Sequence, residues 1–286
     1  MGFCPTAFLC LRSHSDDAEK YVGERGLEAD RLRYEKYLRI CADSATAVML
    51  SQFTAKRFED FCSRSGIVAR CRTEVLYPPL SVNADTRPDP KPSTRTGRSS
   101  FFLENWPTAL HVVGAVAPLS RRKNLKVLFE ALEIVEKQSS DFGLALVAPP
   151  VIDVDRDTLE LLERLNRKLG NRLTVYAELD DEVYDVFLRR ITAMAVPSLL
   201  EGFGLPIVEA AIRRVPVLAA SSSSLSELGR LLDIRTLDPK SPKEWAEAIL
   251  NFGTDEFSAG DPRRVLPTPF RFRQELMSLQ QNAGLR

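Results

Sequence analysis

The chain has 286 residues, of which 44% are hydrophobic, and this is enough to bury one large core or two smaller ones. Lysine plus arginine and aspartate plus glutamate number 39 each, so no global field exists that would hold nucleic acid or an anionic membrane. A two-domain globular protein with a local ligand site is therefore the expectation.

The five cysteines all lie in the first quarter of the chain, without the paired short spacings of zinc sites, and indicate reduced thiols. No apolar run approaches the ~18 residues that a membrane span needs. The apolar start, residues 1–11, lacks the basic segment and the cleavage site of a secretory leader. We therefore predict a cytoplasmic protein. Gly2 and Thr6 also fit the minimal N-myristoylation pattern, to which chance matches are common.

The first part of the chain, residues 1–82, predicts a small Rossmann-like unit with two strand signals. A charged helix is expected over 30–44, then a strand at 45–50, a helix at 53–66 and a strand at 73–77. Two parallel strands are not expected to be stable alone. This unit is therefore predicted to be incomplete, and its exposed sheet edges would invite self-association with another chain.

Downstream, the sequence predicts a linker, a second domain and a tail. Residues 83–106 begin with a polar stretch rich in proline, serine and arginine, which is typical of a solvated linker. Over 107–255, apolar runs of strand length alternate with helical patterns, which predicts an α/β, doubly wound parallel sheet. Residues 256–286 are expected to form a tail and a helix that packs back toward the first unit. The strands predicted in the second domain are 108–115, 142–148, 172–177, 192–196 and 215–220.

Because ligands of such sheets bind at the carboxyl ends of the strands, the loops there carry the candidate residues. After the fourth strand the sequence is PSLLEGFGLPIVEAA. Gly202 and Gly204 permit a tight loop with exposed amides, and Pro206 suits the first position of a helix. The start of that helix would attract an anion. Glu209, one turn further on, could bind two vicinal hydroxyls, and Glu201 precedes the glycines.

A second motif, SRRKN at 120–124, opens the helix after the first strand of the second domain. Arg121, Arg122 and Lys123 place cations at a helix start, where acids are preferred unless an anion binds there. An arginine fork and a lysine both stabilise phosphate charge, so a diphosphate would fit. Each motif taken alone has a simpler interpretation. SRRKN could be a basic solvated loop, and Glu201 and Glu209 could be ordinary surface residues beside a turn.

Together these motifs resemble the group 1 family of retaining glycosyltransferases, which have the GT-B fold. The resemblance covers residues 40–80 and 107–252 in the order of the family. It implies a nucleotide-sugar-binding Rossmann-like domain preceded by a truncated acceptor-side domain. The segments that carry it are ATAVMLSQFTAKRF (45–58), VVGAVAPLSRRKNLKVLFEAL (112–132), SLLEGFGLPIVEAA (198–211), SSSSLSELG (221–229) and DPKSPKEWAEAIL (238–250).

The resemblance implies a sugar donor linked to UDP or GDP and a glycan or other hydroxyl as acceptor, with no metal ion and no cofactor. Glu209 would bind the ribose, and Glu201 would lie beside the sugar and its anomeric carbon. Lys123 and Arg122 would hold the diphosphate. The other implied donor-binding positions are Gly202, Phe203, Gly204, Leu205, Gly114, Leu225 and Ser226.

Some positions depart from the family pattern. Ala115 stands where many members have arginine, and Arg213 with Arg214 replaces a usual Cys-Gly pair. The first unit also lacks the glycine-rich loop with which the acceptor domain of the family begins. Two hypotheses therefore stay open: a retaining glycosyltransferase, or a catalytically silent remnant that binds nucleotide sugars. A dehydrogenase is disfavoured because no G-x-G-x-x-G follows an early strand.

Overall fold

The structure is a computed structural model in which the elements alternate between strand and helix and build two parallel sheets. Gly2 and most of the predicted linker lie outside the part that it describes. Side chains are described from residue 35 onward. The described residues are 6–9, 27–80, 102–151, 154–251 and 260–282.

In its described residues, the first unit is a three-stranded parallel sheet with two helices. Its elements are β1 (Thr6–Leu9), α1 (Leu27–Ala42), β2 (Thr46–Met49), α2 (Gln52–Arg64) and β3 (Arg72–Val75). The strand order is β1-β2-β3, so the sheet has one strand more than the sequence predicted. The extra strand comes from the apolar start of the chain, which the sequence analysis considered only as a leader. A small core that includes Phe58 and Cys41 lies between the helices and β2.

The second domain contains six strands and most of the helices. Its strands are β4 (His111–Val116), β5 (Phe142–Val147), β6 (Leu173–Tyr176), β7 (Ala193–Val196), β8 (Val217–Ala220) and β9 (Thr236–Leu237). Its helices are α3 (Leu125–Glu136), α4 (Arg156–Leu169), α5 (Asp181–Arg190), α6 (Leu205–Ile212), α7 (Ser223–Leu232) and α8 (Pro242–Leu250), and the chain continues to α9 (Pro269–Asn282). Short 3₁₀ turns lie at Arg121–Lys123, Gly170–Arg172 and Pro262–Arg264.

The order of the six strands is β6-β5-β4-β7-β8-β9, and every pair is parallel. The chain therefore starts in the middle of the sheet at β4, runs to one edge, and returns to the middle to build the other half from β7. Because helical crossovers of parallel strands are right-handed, the two halves place their helices on opposite faces. The predicted doubly wound α/β sheet is confirmed.

Burial explains why the strands of this sheet are apolar at nearly every position. All six residues of β5 and all four of β7 and of β8 are buried. A strand that has helices on both faces has no solvent side, so apolar residues run continuously instead of alternating. The hydrophobic core that results extends from Val112 on β4 to Trp245 on α8.

The structure adjusts the boundaries of several predicted elements. Helix α6 begins at Leu205, so Pro206 occupies its second position and not the first, where its missing N–H still costs no intrahelical hydrogen bond. The last residues of the predicted linker 83–106 pack into the larger core. There the ring of Phe102 lies 5.2 Å from Trp106 and 5.0 Å from Tyr176, measured between centroids.

The end of the first unit and the tail meet at the edge of the larger core. Leu80 N donates to Pro267 O at 3.0 Å, and both Leu80 and Leu266 belong to this core. Helix α9 has no buried residue, so the packing of 256–286 toward the first unit stays a prediction. Among the described residues, no helix is long and apolar enough to cross a membrane.

Candidate functional site

The two candidate motifs follow neighbouring strands. Strands β4 and β7 pair directly, with Gly114 opposite Met194, and they are the strands at which the order of the sheet reverses. Between the carboxyl ends of two such strands the loops leave in opposite directions and open a crevice, which is where open α/β sheets bind ligands. The loop after β4 carries SRRKN, and the loop after β7 carries EGFG.

Asn124 joins the basic motif to the opposite side of this crevice. Its backbone is left-handed, with φ at 50°, a conformation that asparagine tolerates better than most residues. Its amide nitrogen Nδ2 donates to Pro197 O at 3.1 Å and to Pro239 O at 2.9 Å. A backbone hydrogen bond from Leu199 N to Arg122 O, 2.9 Å long, reinforces the contact. The sequence analysis quoted Asn124 only as the end of the motif.

The basic motif and the first glutamate form one partly buried ion cluster. Lys123 Nζ donates to Glu201 Oε1, and Arg122 Nη1 lies 3.4 Å from Glu201 Oε2. Arg122 Nη1 also donates to Leu200 O at 2.9 Å. The side chains are 13%, 24% and 12% exposed for Lys123, Arg122 and Glu201, so water screens the cluster only in part. Two cations and one carboxylate leave a net charge of +1, which favours an anion.

Serines at the start of α7 hold the backbone of the glycine loop. Ser223 Oγ accepts from Glu201 N at 2.9 Å, and Ser224 Oγ donates to Glu201 O and Phe203 O, both at 2.9 Å. Ser222 Oγ donates to Ser198 O at 2.6 Å. The sequence analysis missed these roles, although four consecutive serines directly after an apolar strand were a readable signal of side chains that bind the backbone of a loop.

The glycine loop leaves several amides free to bind a ligand. Gly204, with φ at 108°, stands at the N-cap of α6, and Ile207 N turns back to Gly204 O at 3.0 Å. Within the described part of the chain, the structure shows no hydrogen bond from the N–H groups of 202–205. Unmatched N–H groups together with the helix dipole attract negative charge.

Glu209 is held apart from the ion cluster by a different partner. Its Oε2 accepts from Tyr184 OH at 2.6 Å, and Tyr184 lies on α5. Burial, and next the negative charge of Glu209, raise the pKa of Tyr184 well above its usual range, so the hydroxyl stays a donor at neutral pH. The described contacts thus join Glu209 to Tyr184. Tyr184 was missed because its partner comes from another helix.

A partly buried ion pair joins the same pair of helices. Arg213, just after α6, lies 2.6 Å from Asp185 on α5 and donates to Glu209 O at 3.0 Å. Burial alone would raise the pKa of Asp185, but the hydrogen bonds from Arg189 and Arg213 outweigh it and lower this pKa. The arginine that replaces a small residue of the family pattern thus ties α6 to α5.

Comparison with known proteins identifies the family. Residues 99–265, more than half of the 286 residues, match the sequence profile described as Glycosyl transferases group 1. The chain belongs to the group 1 glycosyltransferases. The resemblance that the motifs indicated is therefore confirmed at the level of the family.

Individual relatives of this group 1 glycosyltransferase agree. O-antigen chain mannosyltransferase B of Escherichia coli is 28% identical over 204 residues, which are 70% of this chain and 50% of that protein. Sucrose-phosphate synthase from Thermosynechococcus elongatus has a TM-score of 0.68 at 18% identity, over 94% of this chain and 66% of the other. HepE from Anabaena, in complex with UDP and glucose, has a TM-score of 0.63 at 20% identity, over 86% and 67%.

These similarities confirm the GT-B-like fold and show how long the chain is relative to a related protein. The identities of the two solved structures are too low to show more than the fold. The chain spans about half the length of the mannosyltransferase. What the whole relatives do is therefore a separate question from the family to which the chain belongs.

Several implied donor-binding residues of the glycosyltransferase have packing roles in the structure. A Cβ on Gly114 would lie 2.6 Å from Ile191 Cγ2, so this glycine makes room for a side chain of the core. Leu225 is fully buried against Gly204, and the buried Phe203 packs its ring 6.0 Å from that of Tyr77. At Gly114 and Phe203 only the backbone is left to contact a ligand. The complete burial of Leu225 does not support a contact between its side chain and the donor.

The remaining implied residues stay predictions. Leu205 is 53% exposed at the start of α6, and Ser226 is half-buried on α7. In the described part of the chain, no group of three or more histidine, cysteine, aspartate or glutamate side chains is placed to hold a metal ion.

Proposed function

We propose that this glycosyltransferase moves a sugar from a nucleoside-diphosphate-sugar donor to an acceptor hydroxyl, with retained configuration. The observation that carries the proposal is the cluster of Lys123, Arg122 and Glu201 at the point where the strand order reverses. Two cations and a loop of unmatched amides follow the two strands at which the order reverses, and a diphosphate is the kind of ligand that needs both.

In this proposal the diphosphate lies between Lys123 and the amides of the glycine loop. When the bond to the sugar breaks, charge develops on the leaving phosphate, and cations fixed beside it stabilise that charge more than the ground state. Arg122 and Lys123 would then exchange part of their contact with Glu201 for phosphate oxygens. Glu201, released toward the crevice, would lie beside the sugar, as its position before the glycines suggests. These cations would serve in place of a metal ion.

Glu209 is proposed to bind the ribose. Tyr184 occupies one carboxylate oxygen at 2.6 Å, but a carboxylate has about four lone-pair sites and can accept further hydrogen bonds from two vicinal hydroxyls. The position of Glu209 one turn inside α6 supports this role. The complex of HepE with UDP and glucose supports a UDP-linked donor, and the likeness to a mannosyltransferase keeps GDP-linked donors in the proposal.

Calorimetric titration of the folded protein with UDP, GDP, UDP-glucose and GDP-mannose tests the proposal. Binding of at least one is expected, and Lys123→Gln should weaken it by roughly 10–100-fold because a charged hydrogen bond to phosphate is lost. A second variant, Glu201→Gln, has Glu133→Gln as its matched control. Glu133 also pairs with two cations, Arg164 and Lys168, but it lies away from the crevice. No binding by any of the four ligands would overturn the proposal.

A second candidate is a nucleotide-sugar-binding remnant without catalysis. The observation that favours it is the departure from the family pattern at Ala115 and at Arg213 with Arg214. It predicts donor binding without sugar transfer and without slow donor hydrolysis. The test measures the rate at which the wild-type protein releases UDP from UDP-glucose or GDP from GDP-mannose. A rate above that of the Glu201→Gln variant would show that the protein is an enzyme.

The setting of the reaction is also part of the proposal. The cysteines in the described part of the chain are free, and Cys41 and Cys62 are buried, which agrees with a reducing compartment such as the cytoplasm. The edges of the small sheet at β1 and β3 are proposed to mediate self-association. Sedimentation at increasing protein concentration checks this, and a monomer at all concentrations would contradict it.

A further inference from the structure

Two hydroxyl groups of the first unit hold the glycine loop of the second domain. Ser51 Oγ donates to Gly202 O at 2.7 Å, and Thr54 Oγ1 donates to the same oxygen at 2.9 Å. The two hydroxyl oxygens also lie 2.6 Å from each other, so the pair shares its two protons between this contact and Gly202 O. Ser51 and Thr54 are each only 1% exposed, so these contacts are shielded from water. One carbonyl oxygen of the loop is thus held by a buried pair of hydroxyls from another domain.

Glu227 makes the same junction from the other side. This glutamate on α7 is 7% exposed, and its carboxylate accepts from Gln52 N at 2.9 Å and from Phe53 N at 3.1 Å. These are the first two N–H groups of α2, so Glu227 satisfies the positive end of a helix in the other domain. Tyr77 OH donates to the same carboxylate at 2.7 Å. Burial, and next the hydrogen bond to Glu227, raise the pKa of Tyr77 above its usual range, which keeps this donor protonated.

These contacts fix the direction of a peptide group in the proposed donor site. No cis peptide bond occurs among the described residues, and in a trans peptide the C=O and the following N–H point in opposite directions. Because the C=O of Gly202 points toward Ser51 and Thr54, the N–H of Phe203 points away from the first unit. The ring of Phe203 packs beside Tyr77, which further limits rotation of this peptide.

We propose that Ser51, Thr54 and Glu227 are positioning residues that aim the Phe203 N–H at the donor. The inference rests on the proposed function and assigns the first unit a task that does not depend on the acceptor. The hydroxyls touch no donor and act through the 202–203 peptide. Catalysis and binding by fixed amides require that the donors of the hydrogen bonds are oriented before the ligand arrives.

The test compares Thr54→Val with Thr158→Val. Both threonines are 1% exposed and stand at the third position of a helix, and Thr158 Oγ1 binds its own N-cap residue, Asp155, at 2.5 Å. Only Thr54 also reaches the glycine loop. The two variants therefore remove the same group from the same kind of helix start, and they differ in the contact with Gly202.

Two measurements are made on each variant. Amide hydrogen exchange of Leu199, Glu201 and Ile207, whose N–H groups are hydrogen-bonded, should be roughly tenfold faster in Thr54→Val and unchanged in Thr158→Val, because a buried hydrogen bond between the domains is lost. The affinity for the bound nucleoside diphosphate or nucleotide sugar should fall by roughly 3–10-fold in Thr54→Val only. Thr54→Ser keeps the hydroxyl and should restore both the slow exchange and the affinity. If Thr54 only stabilised the fold, Thr54→Ser and Thr54→Val of equal thermal stability would not differ in this way.

Glu227→Gln provides a second variant that preserves shape. A neutral amide accepts from fewer donors than a carboxylate, so exchange should accelerate at Gln52 and Phe53 and again at the hydrogen-bonded amides of Leu199, Glu201 and Ile207. Unchanged exchange of the glycine loop in both Thr54→Val and Glu227→Gln overturns the inference. If the wild-type protein binds no donor, the proposed function fails while the exchange measurement still decides whether the first unit orders the loop. If donor binds and Thr54→Val behaves as Thr158→Val, the inference fails and the function stands.

Discussion

Individual residues with left-handed backbone mark the places where the fold demands an unusual conformation. Gly204 has φ at 108°, and a Cβ there would lie 2.8 Å from Leu225 Cδ2. Asn124 and Arg214 adopt φ values of 50° and 57° without being glycine. The left-handed backbone of Asn124 lets its side-chain amide bridge two loops. The described contacts of Arg214 include no comparable side-chain hydrogen bond. These positions therefore differ in what a substitution should do.

Gly204→Ala should destabilise the protein by about 2–5 kcal/mol, because the backbone strain adds to overpacking against Leu225. Gly66→Ala is the matched control. Gly66 has φ at 62°, but a Cβ there would meet no atom within 4 Å, so only the strain of about 1–2 kcal/mol applies. Urea unfolding of both variants measures the difference. Equal losses would show that the contact of Gly204 with Leu225 is not tight.

Arg214→Gly should stabilise the protein by about 0.5–1 kcal/mol. Arg214 is exposed, and glycine adopts φ near 57° without the penalty of a Cβ, which outweighs its greater freedom in the unfolded chain. Arg213→Gly is expected to act in the opposite direction, since it breaks the ion pair with Asp185. The midpoints of urea unfolding check both signs, and a destabilised Arg214→Gly would contradict the argument.

At the scale of elements, helix α8 closes the core of the second domain against α3. Trp245 on α8 is fully buried, and its indole Nε1 donates to Asp238 O at 2.9 Å. The donor partner explains how a tryptophan can be buried completely without leaving its N–H unmatched. Helix α7 acts in a different way, because its first serines hold the glycine loop and its Glu227 holds the first unit.

Trp245→Ala should lower the free energy of unfolding by about 3–5 kcal/mol, through lost apolar burial and the cavity that remains. Trp106→Ala is the control. Trp106 is only half-buried and has Arg190 over its ring at 4.9 Å, so a smaller loss is expected. Denaturant unfolding followed by circular dichroism measures both, since fluorescence would change with either substitution. A larger effect at Trp106 would mean that α8 is not a main support of the core.

At the scale of the whole molecule, three tyrosines with raised pKa values make the stability depend on alkaline pH. Burial raises the pKa of Tyr176 to about 12, and the pKa values of Tyr77 and Tyr184 are raised as well, mainly by burial. Below about pH 10 these tyrosines are protonated in both the folded and the unfolded chain. Above it the unfolded chain loses protons first, so stability falls as pH rises through the folded pKa values.

The free energy of unfolding should therefore decline above about pH 10, by up to about 1.4 kcal/mol per pH unit for each of these tyrosines. Tyr176→Phe should show a shallower decline than the wild type. Tyrosinate absorbance gives an independent measurement, because only some of the six tyrosines should ionise near their ordinary pKa before unfolding. Ionisation of all six together near about pH 10 in the folded protein would contradict the prediction.

Prediction from the sequence succeeded where the physical signal is local or periodic. The apolar run of β5 and the helical spacing of Leu125, Leu128 and Leu132 each report the burial of their own element. The signal of β1 was weak because a threonine followed by three apolar residues is too short to show a period, and only pairing with β2 makes them a strand. The two-residue β9 is likewise too short to leave a periodic pattern.

The sequence by itself determined the α/β class, the family, and the two motifs that follow β4 and β7, because these are written in residue types along one stretch of chain. Only the tertiary structure decided that Lys123 meets Glu201 and that Tyr184 binds Glu209. It also decided that Thr54 joins the first unit to the glycine loop and that Glu227 joins it to α7. The physical reason is that a buried polar group must find a partner wherever the packing of helices and strands brings one near. That choice depends on distances in space between residues as much as 175 positions apart in sequence.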